Sequence, residues 1–115
     1  MSSSGSGDKA SVEDEIKKLI KENKVMVFSK IHCPYCVKAK KILGKYKLKD
    51  YKVIELDKIK DDDEYMDVLG RMTGEDTVPR VFIGGECIGG GDDTERLERK
   101  GELEKKLRKA NALED

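Results

Sequence analysis

The sequence is poor in several features that would point to a function through composition alone. It has no tryptophan, a single histidine, two prolines and three cysteines in 115 residues. Its 24 basic side chains balance 24 acidic ones, so the formal net charge is zero and no net field favours nucleic acid or an anionic membrane. No apolar run approaches the roughly 20 residues that span a bilayer. We therefore expect neither nucleic acid nor a membrane as a partner.

The length fits one compact domain. Residues 1–10 are rich in Ser and Gly and predict a disordered N-terminal tail, so the folded domain is expected over residues 11–115. The first residues lack the charged and apolar regions of a signal peptide. An odd number of cysteines, two of them in one motif, does not suit a secreted disulfide framework. A reducing, cytoplasmic location is therefore expected.

Apolar spacing predicts alternating helices and strands. Helices are expected at 11–23, 33 to about 44–47, 61–72 and 102–110, and a further helix is expected to begin at Asp92 and Asp93. Ser11 is the expected cap of the first helix. Strands are expected at 24–29, 51–56, 81–83 and 87–88. The order α-β-α-β-α-β-β-α, with one more short helix after Gly101, implies a βαβ unit followed by a hairpin. The predicted fold is α/β, a four-stranded mixed sheet with helices on both faces.

The most informative segment is Cys33-Pro34-Tyr35-Cys36, which follows an apolar strand and opens a helix. A Cys-x-x-Cys at such a junction is typical of dithiol–disulfide chemistry. Helix N-termini and nearby cations lower the pKa of a cysteine thiol from about 8.5 into the range of about 3.5–7.5, and Lys30 lies three residues upstream. The pattern predicts Cys33 as the nucleophile and Cys36 as the resolving thiol.

Two other interpretations of the cysteine pair are a structural zinc site and two merely buried small apolar residues, and the second does not suit their place at a Pro-containing helix start. A structural zinc site needs two further ligands, for which the candidates are His32, which adjoins Cys33 and points elsewhere in most backbone geometries, and Cys87. No metal is therefore expected. Cys87 is either a small residue of a short strand or a thiol that can be glutathionylated or can bridge two molecules.

Two further segments have the chemistry of a peptide-binding groove. Thr77-Val78-Pro79 precedes a strand, and a cis peptide before Pro79 would leave the Val78 backbone free to pair with an extended peptide. In 89–93, three glycines are followed by Asp92 and Asp93. Glycines allow close approach, helix-start N–H groups suit a carboxylate, and an Asp suits an ammonium. The alternatives are an ordinary turn proline and a flexible hinge with a helix cap.

Taken together, Cys-Pro-Tyr-Cys, Thr-Val-Pro-Arg-Val-Phe-Ile-Gly-Gly and Ile-Gly-Gly-Gly-Asp-Asp resemble a dithiol glutaredoxin of the thioredoxin superfamily. Thioredoxins instead carry Trp-Cys-Gly-Pro-Cys. The resemblance implies a thioredoxin-like fold and the reduction of protein disulfides and of glutathione mixed disulfides. It implies glutathione as the electron-donating co-substrate, disulfide-containing or glutathionylated proteins as partners, and a monomer.

The resemblance also implies a set of residues for the glutathione groove. These are Lys30, Tyr35, Thr77, Val78, Pro79, Gly90, Asp92 and Asp93. The cysteinyl part would pair with Val78, the γ-glutamyl head would lie at Asp92 and Asp93, and the glycine carboxylate would lie near Lys30. The chain departs from the pattern at the glycine end, where Asp76 and Met66 replace a common Arg and Gln.

A second function is also compatible with the resemblance. Two copies of the chain would hold a [2Fe–2S] cluster through Cys33 and two glutathiones, since thiolates are the ligands of such clusters. Relatives that bind a cluster tend to have Gly or Ser at the position of Pro34, so Pro34 argues against this alternative.

Overall fold

The computed structural model describes residues 9–114, with side chains from residue 11 onward. The elements in chain order are α1 (Lys9–Glu22), β1 (Val25–Ser29), α2 (Pro34–Leu43), β2 (Tyr51–Glu55), α3 (Asp62–Thr73), β3 (Arg80–Ile83), β4 (Glu86–Gly89), α4 (Gly91–Arg99) and α5 (Glu102–Lys109). A single 3₁₀ turn, Leu56–Lys58, follows β2. In this part of the chain, no helix combines the length and the apolar character needed to cross a bilayer.

The four strands form one mixed sheet in the order β2-β1-β3-β4. β1 pairs with β2 in parallel and with β3 antiparallel, and β3 and β4 form an antiparallel hairpin. β1 is central, and all five of its residues are buried. A strand covered on both faces is expected to be apolar at successive positions, as Val25, Met26, Val27 and Phe28 are.

Alternate residues of β1 belong to two separate cores. Val25 and Val27 pack on one face of the sheet with apolar residues of α2 and α5. Met26 and Phe28 pack on the other face with apolar residues of α1 and α3. The predicted α/β architecture, with helices on both faces of a four-stranded mixed sheet, is therefore confirmed. The C-terminal end of β1 leads directly to the two cysteines at the start of α2.

Two predicted helix starts are wrong. α1 begins at Lys9, so Ser11 lies inside the helix and does not cap it, and residues 9 and 10 are helical. The rest of the predicted tail lies outside the described residues. The segment predicted as a hinge is part of regular structure: Gly89 ends β4, Gly90 is the N-cap of α4 and Gly91 is its first residue.

The carboxylate of Asp93 explains why α4 begins earlier than predicted. Its Oδ2 accepts a hydrogen bond of 2.9 Å from the Gly90 N–H. Asp93 therefore closes the start of α4 from the third helical position, as in a capping box, and is not itself the N-cap. The glycines let the chain turn from β4 into α4 over a very short distance, because a Cβ on Gly89 would lie 2.2 Å from Asp93 Oδ2.

Candidate active site

Cys33 occupies the N-cap position of α2, one residue earlier than the helix itself. Its backbone is extended (φ −139°, ψ 109°), Pro34 follows in the first turn, and its sulfur accepts a hydrogen bond of 3.3 Å from the Cys36 N–H. Pro34 suits this place because the first-turn N–H groups have no partner within the helix. An N–H dipole aimed at the sulfur stabilises negative charge on it. Cys33 is partly exposed and carries a free thiol.

Cys36 is in a different environment, with no exposed surface. Burial is the main factor that raises the pKa of its thiol to about 11, and the hydrogen bond with Cys33 adds to the increase. The Lys30 N–H, which donates to the Cys36 sulfur over 3.4 Å, and the Ser29 hydroxyl partly oppose it. The two cysteines are thus an accessible sulfur and a buried neutral thiol, one helical turn apart.

The loop before β3 lies against the accessible sulfur. The Val78–Pro79 peptide is cis, the first of the two possibilities that the sequence leaves open. The Cys33 sulfur is 3.9 Å from the Val78 carbonyl oxygen, towards which its thiol points. The Val78 N–H donates to no acceptor within residues 9–114. A backbone donor is therefore available to an extended ligand directly beside the sulfur.

A groove of about 340 Å³ runs between this loop, α2 and the start of α4. It is lined by Tyr35, Glu75, Thr77, Val78, Pro79, Arg80, Gly90, Gly91, Asp92 and Asp93. Seven of the eight residues predicted for the glutathione groove are in this set. The exception is Lys30. The structure thus brings together, next to Cys33, residues that are up to 58 positions apart in the chain (from Tyr35 to Asp93).

One wall of the groove depends on Gly91. A Cβ at this position would lie 2.7 Å from the Tyr35 carbonyl oxygen, closer than real Cβ atoms approach backbone. Glycine therefore lets the start of α4 lie directly on the first turn of α2. The sequence predicts close approach at the glycines, and the structure identifies Tyr35 as the partner.

Two groove residues have roles that the sequence does not reveal. Arg80 is buried, its Nε donates to the Pro79 carbonyl oxygen over 3.1 Å, and a terminal nitrogen lies 3.4 Å from Glu75 Oε1. Glu75 is exposed. A buried guanidinium in the groove, paired with a single exposed carboxylate, places a positive charge behind Pro79. No local pattern marks Glu75 as its partner, because their contact depends on the loop geometry.

The α4 end of the groove is negatively charged, but its carboxylates already have partners. The Gly90 N–H is the main cause that lowers the pKa of Asp93 below its usual value, and Arg96 lowers it further. Asp92 lies 3.3 Å from the Lys38 ammonium. A ligand ammonium at this end would share both carboxylates with the protein's own donors.

The residues that depart from the family pattern are not among those that line the groove. Asp76 and Met66 line a separate pocket of about 370 Å³ together with Asp63, Glu64 and Asp67. Asp76 immediately precedes Thr77 of the groove in the chain, and no cation is among the described residues that line this pocket. A ligand carboxylate placed there would meet carboxylates and no cation.

The third cysteine is remote from the groove. Cys87 lines a larger groove, about 640 Å³, with Gly84 and Gly85 of the hairpin turn. The Gly84 N–H donates to the Lys24 carbonyl oxygen, at the start of β1, whereas Cys33 lies beyond the end of that strand. Cys87 is thus at the opposite end of the sheet. Across residues 9–114, no three His, Cys, Asp or Glu side chains are grouped so that they could hold a metal ion.

Comparison with known proteins gives consistent matches. The glutaredoxin family model matches residues 25–88. The chain is 42% identical over 102 residues to an uncharacterized monothiol glutaredoxin of Caenorhabditis elegans, covering 89% of this chain and 70% of that protein. It is 44% identical over 90 residues to human mitochondrial glutaredoxin-2, covering 78% of this chain and 54% of that protein. The chain thus spans only about half the length of the human relative.

The fold agrees with the sequence matches. The structure superposes on a crystal structure of a buckwheat glutaredoxin–glutathione complex with a TM-score of 0.88 and 34% identity, covering 96% of this chain and 100% of that one. The architecture is therefore thioredoxin-like, and it carries a Cys-x-x-Cys at the start of a helix. By sequence, fold and the position of its cysteines, the chain belongs to the glutaredoxin family of thiol oxidoreductases.

Proposed function

We propose that this protein reduces protein disulfides and glutathione mixed disulfides, with glutathione as the electron donor, through a Cys33 nucleophile that Cys36 resolves. The main support is the asymmetry of the two sulfurs. Cys33 is accessible and accepts an N–H hydrogen bond, while Cys36 is fully buried and its pKa is raised to about 11. A reactive thiolate needs access and stabilised negative charge, which only Cys33 has within this motif.

Deglutathionylation would use Cys33 alone. Its thiolate attacks the glutathionyl sulfur, the target protein leaves as a thiol, and a glutathionyl–Cys33 disulfide remains. A second glutathione attacks that disulfide, forms oxidised glutathione and returns Cys33 to the thiolate. The groove at Thr77–Pro79 and Gly90–Asp93 supports this route, because its free Val78 N–H is beside the sulfur that would carry the tripeptide.

Reduction of a protein disulfide would use both cysteines. Cys33 attacks one sulfur of the target and forms a mixed disulfide, and Cys36 then attacks Cys33 and releases the second target thiol. The S–S bond ends up between Cys33 and Cys36, and glutathione reduces it. The single helical turn between the two residues, with the Cys36 N–H on the Cys33 sulfur, favours this ring closure.

Single-cysteine variants test the assignment. Cys33→Ser is expected to abolish both reactions. Cys36→Ser is expected to abolish reduction of a protein disulfide and to keep turnover of a glutathione mixed disulfide. Both activities are measured on purified protein with glutathione and a coupled reductase. Equal loss of the two reactions in the two variants would contradict the proposed roles.

The cluster-binding alternative requires ligands for a [2Fe–2S] cluster. A [2Fe–2S] cluster has four thiolate ligands, and the described residues contain no group of three metal-ligating side chains. At least two ligands would have to come from outside this chain, and three if Cys33 is the only cysteine of the chain that binds the cluster. The visible absorption spectrum of protein purified without oxygen separates the two functions, since a bound cluster is coloured and the dithiol enzyme is not.

A further inference from the structure

The groove beside Cys33 contains little positive charge. Three of the described residues that line it are carboxylates, Glu75, Asp92 and Asp93, and Arg80 is the one cation among them. The substrate of the proposed function carries a carboxylate at its γ-glutamyl head, a second at its glycine end, and one ammonium. A ligand carboxylate in the groove would be repelled by most of the charged lining, and Arg80 is the side chain that can offset this repulsion.

The Arg80 guanidinium is buried against the start of α4. The Arg80 side chain is only 5% exposed, and its Nε donates a hydrogen bond of 3.1 Å to the Pro79 carbonyl oxygen. A Cβ on Gly90, the N-cap of α4, would lie 2.9 Å from a terminal nitrogen of Arg80, so glycine allows this close approach. Because Nε is already bound, the terminal nitrogens have a fixed direction, and a guanidinium fixed in this way suits a carboxylate.

A carboxylate of the protein already reaches the same terminal nitrogen. Glu75 Oε1 lies 3.4 Å from it, and the Glu75 side chain is 67% exposed. This contact is longer than the roughly 2.7–3.2 Å of a usual N–H···O hydrogen bond, and it is the only ion pair of the Glu75 carboxylate within residues 9–114. The guanidinium is therefore accessible to a carboxylate in the groove, and an ion pair with so exposed a partner is displaced at little cost.

We propose that Arg80 binds the α-carboxylate of the γ-glutamyl head group, which displaces the Glu75 carboxylate from the guanidinium. The inference rests on the proposed function. Arg80 lies against Gly90, at the end of the groove where Asp92 and Asp93 would meet the ammonium of the same head group. Both charges of the head group then have a partner of opposite sign, and the N–H groups at the start of a helix favour the same anion.

The pair of Glu75 and Arg80 would also select among substrates. A mixed disulfide whose small partner lacks the α-carboxylate, such as one of cysteamine, leaves Glu75 on Arg80 and gains no contact with the guanidinium. A substrate that has the α-carboxylate can use the guanidinium in a bidentate contact, whereas the Glu75 carboxylate contacts one of its nitrogens. Discrimination is thus expected to depend on the α-carboxylate and not on the charge of the ligand as a whole.

Substrates with one carboxylate neutralised test the assignment. A model peptide is linked by a disulfide to glutathione, to glutathione amidated at the γ-glutamyl α-carboxyl group (the α-amide), or to glutathione amidated at glycine (the glycine amide). Release of the peptide thiol is followed by chromatography at a fixed glutathione concentration, and kcat/KM is determined for each mixed disulfide. The parent should show a kcat/KM about tenfold lower for the α-amide than for the unmodified substrate, the order expected for hydrogen bonds between charged groups.

Glu75→Gln removes the charge that competes with the ligand. It should raise kcat/KM about two- to fivefold for the unmodified substrate and for the glycine amide, mainly through KM, because an exposed ion pair contributes up to about that factor. For the α-amide the change should be less than about 1.5-fold, since no ligand carboxylate takes the place of Glu75. An equal gain for all three substrates would show a general effect of charge and would overturn the assignment.

Glu86→Gln is the matched control. The Glu86 side chain is 71% exposed and pairs with Lys106 over 3.7 Å, so it resembles Glu75 in exposure and in the length of its ion pair. Glu86 follows the hairpin turn at the end of the sheet opposite Cys33. All three values of kcat/KM should therefore equal those of the parent.

Variants of Arg80 test the binding residue itself. Arg80→Gln should lower kcat/KM for the unmodified substrate by about tenfold and abolish its advantage over the α-amide. Arg80→Lys keeps the positive charge and should restore part of that advantage. Circular dichroism shows whether each variant is folded, and because Arg80 is buried, the exposed Glu75→Gln decides alone where they are not. A folded Arg80→Gln that still prefers the unmodified substrate tenfold would contradict the proposed contact.

The outcomes also separate this inference from the proposed function. If the parent turns over none of the three substrates, or if Cys33→Ser turns them over at the parental rate, the proposed function is wrong. If turnover depends on Cys33 but kcat/KM is equal for the unmodified substrate and the α-amide, the proposed function stands and the role of Arg80 is wrong.

Discussion

The backbone N–H of Cys36 donates a hydrogen bond to the Cys33 sulfur over 3.3 Å, so the proposed nucleophile closes the first turn of the helix that follows it. The same contact serves the structure and the chemistry. It satisfies a helix-end donor, and it directs a positive dipole at the atom that the proposed function requires as an anion. Stability and reactivity at residue 33 are therefore expected to separate when the side chain is changed.

Substitutions of Cys33 should show this separation. Cys33→Ser keeps a side-chain acceptor at the N-cap, so its free energy of unfolding should lie within about 0.5 kcal/mol of the parent's. Cys33→Ala should lower the free energy of unfolding by about 0.5–2 kcal/mol, the usual cost of removing a cap. Both variants should be inactive. Urea unfolding followed by circular dichroism gives the two free energies. Equal stability of the two variants would show that the sulfur is not a cap.

The reactivity of Cys36 should follow its pKa of about 11. In Cys33→Ser, Cys36 is the remaining sulfur of the motif, and burial, the main cause of its raised pKa, is unchanged. Alkylation by iodoacetamide should therefore be very slow at pH 7. It should accelerate about a hundredfold by pH 9, because the thiolate fraction grows tenfold per pH unit below the pKa. Mass spectrometry of the peptide containing residue 36 follows the rate and separates it from Cys87. A rate that levels off below pH 9 would contradict the burial of this thiol.

Much of the fold is predictable because each element carries a local signal. The apolar run of β1 and the spacing of α2 identify the strand-to-helix junction, and with it the place of Cys33 and Cys36. The structure at the end of β4 is harder to predict from the sequence. Three consecutive glycines predict flexibility, whereas Asp93 holds the Gly90 N–H and converts the segment into a helix start.

The contacts around the cysteines are harder to predict, because they join residues far apart in the chain. Ser29 meets Glu55, 26 residues later, through the parallel register of β1 and β2, and the sequence contains no local signal for that register. Lys30 shows the converse. It is near Cys33 along the chain, but the turn that follows β1 leaves it outside the set of residues that line the groove.

The start of α4 should respond to acid through Asp93. Its folded-state pKa is lowered, chiefly by the Gly90 N–H, so its contribution to stability is present above its ordinary pKa of about 4 and is lost as the pH falls through the lower folded value. Asp93→Ala should cost about 0.5–1 kcal/mol at pH 7 and progressively less towards pH 2.5. Urea unfolding across this range measures the difference.

Asp92→Ala is the matched control for that experiment. Asp92 lies in the same helical turn, but its partner is the Lys38 ammonium at the surface, where ion pairs contribute little. Asp92→Ala should lower the free energy of unfolding at pH 7 by less than about 0.5 kcal/mol. If Asp93→Ala lowers the free energy of unfolding by the same amount at pH 7 and at pH 2.5, the charge of Asp93 is not what stabilises the helix start.

The contact between α4 and α2 should control the width of the groove. In Gly91→Ala the new Cβ would lie 2.7 Å from the Tyr35 carbonyl oxygen, so the start of α4 has to move away from α2. Overpacking of this kind costs about 1–3 kcal/mol, so the variant should be less stable. Because both residues line the groove, it should also show a several-fold higher KM for a glutathione mixed disulfide, with little change in kcat.

Gly85→Ala separates the groove from general destabilisation. Gly85, in the turn between β3 and β4, has a φ of +87° with no atom within 4 Å of its added Cβ, so alanine should cost about 1–2 kcal/mol through backbone conformation alone. It lies at the end of the sheet opposite Cys33, and its KM should equal that of the parent. If both alanine variants raise KM in proportion to their loss of stability, the close approach at Gly91 does not shape the substrate site. A rise confined to Gly91→Ala would locate the tripeptide between α2 and α4.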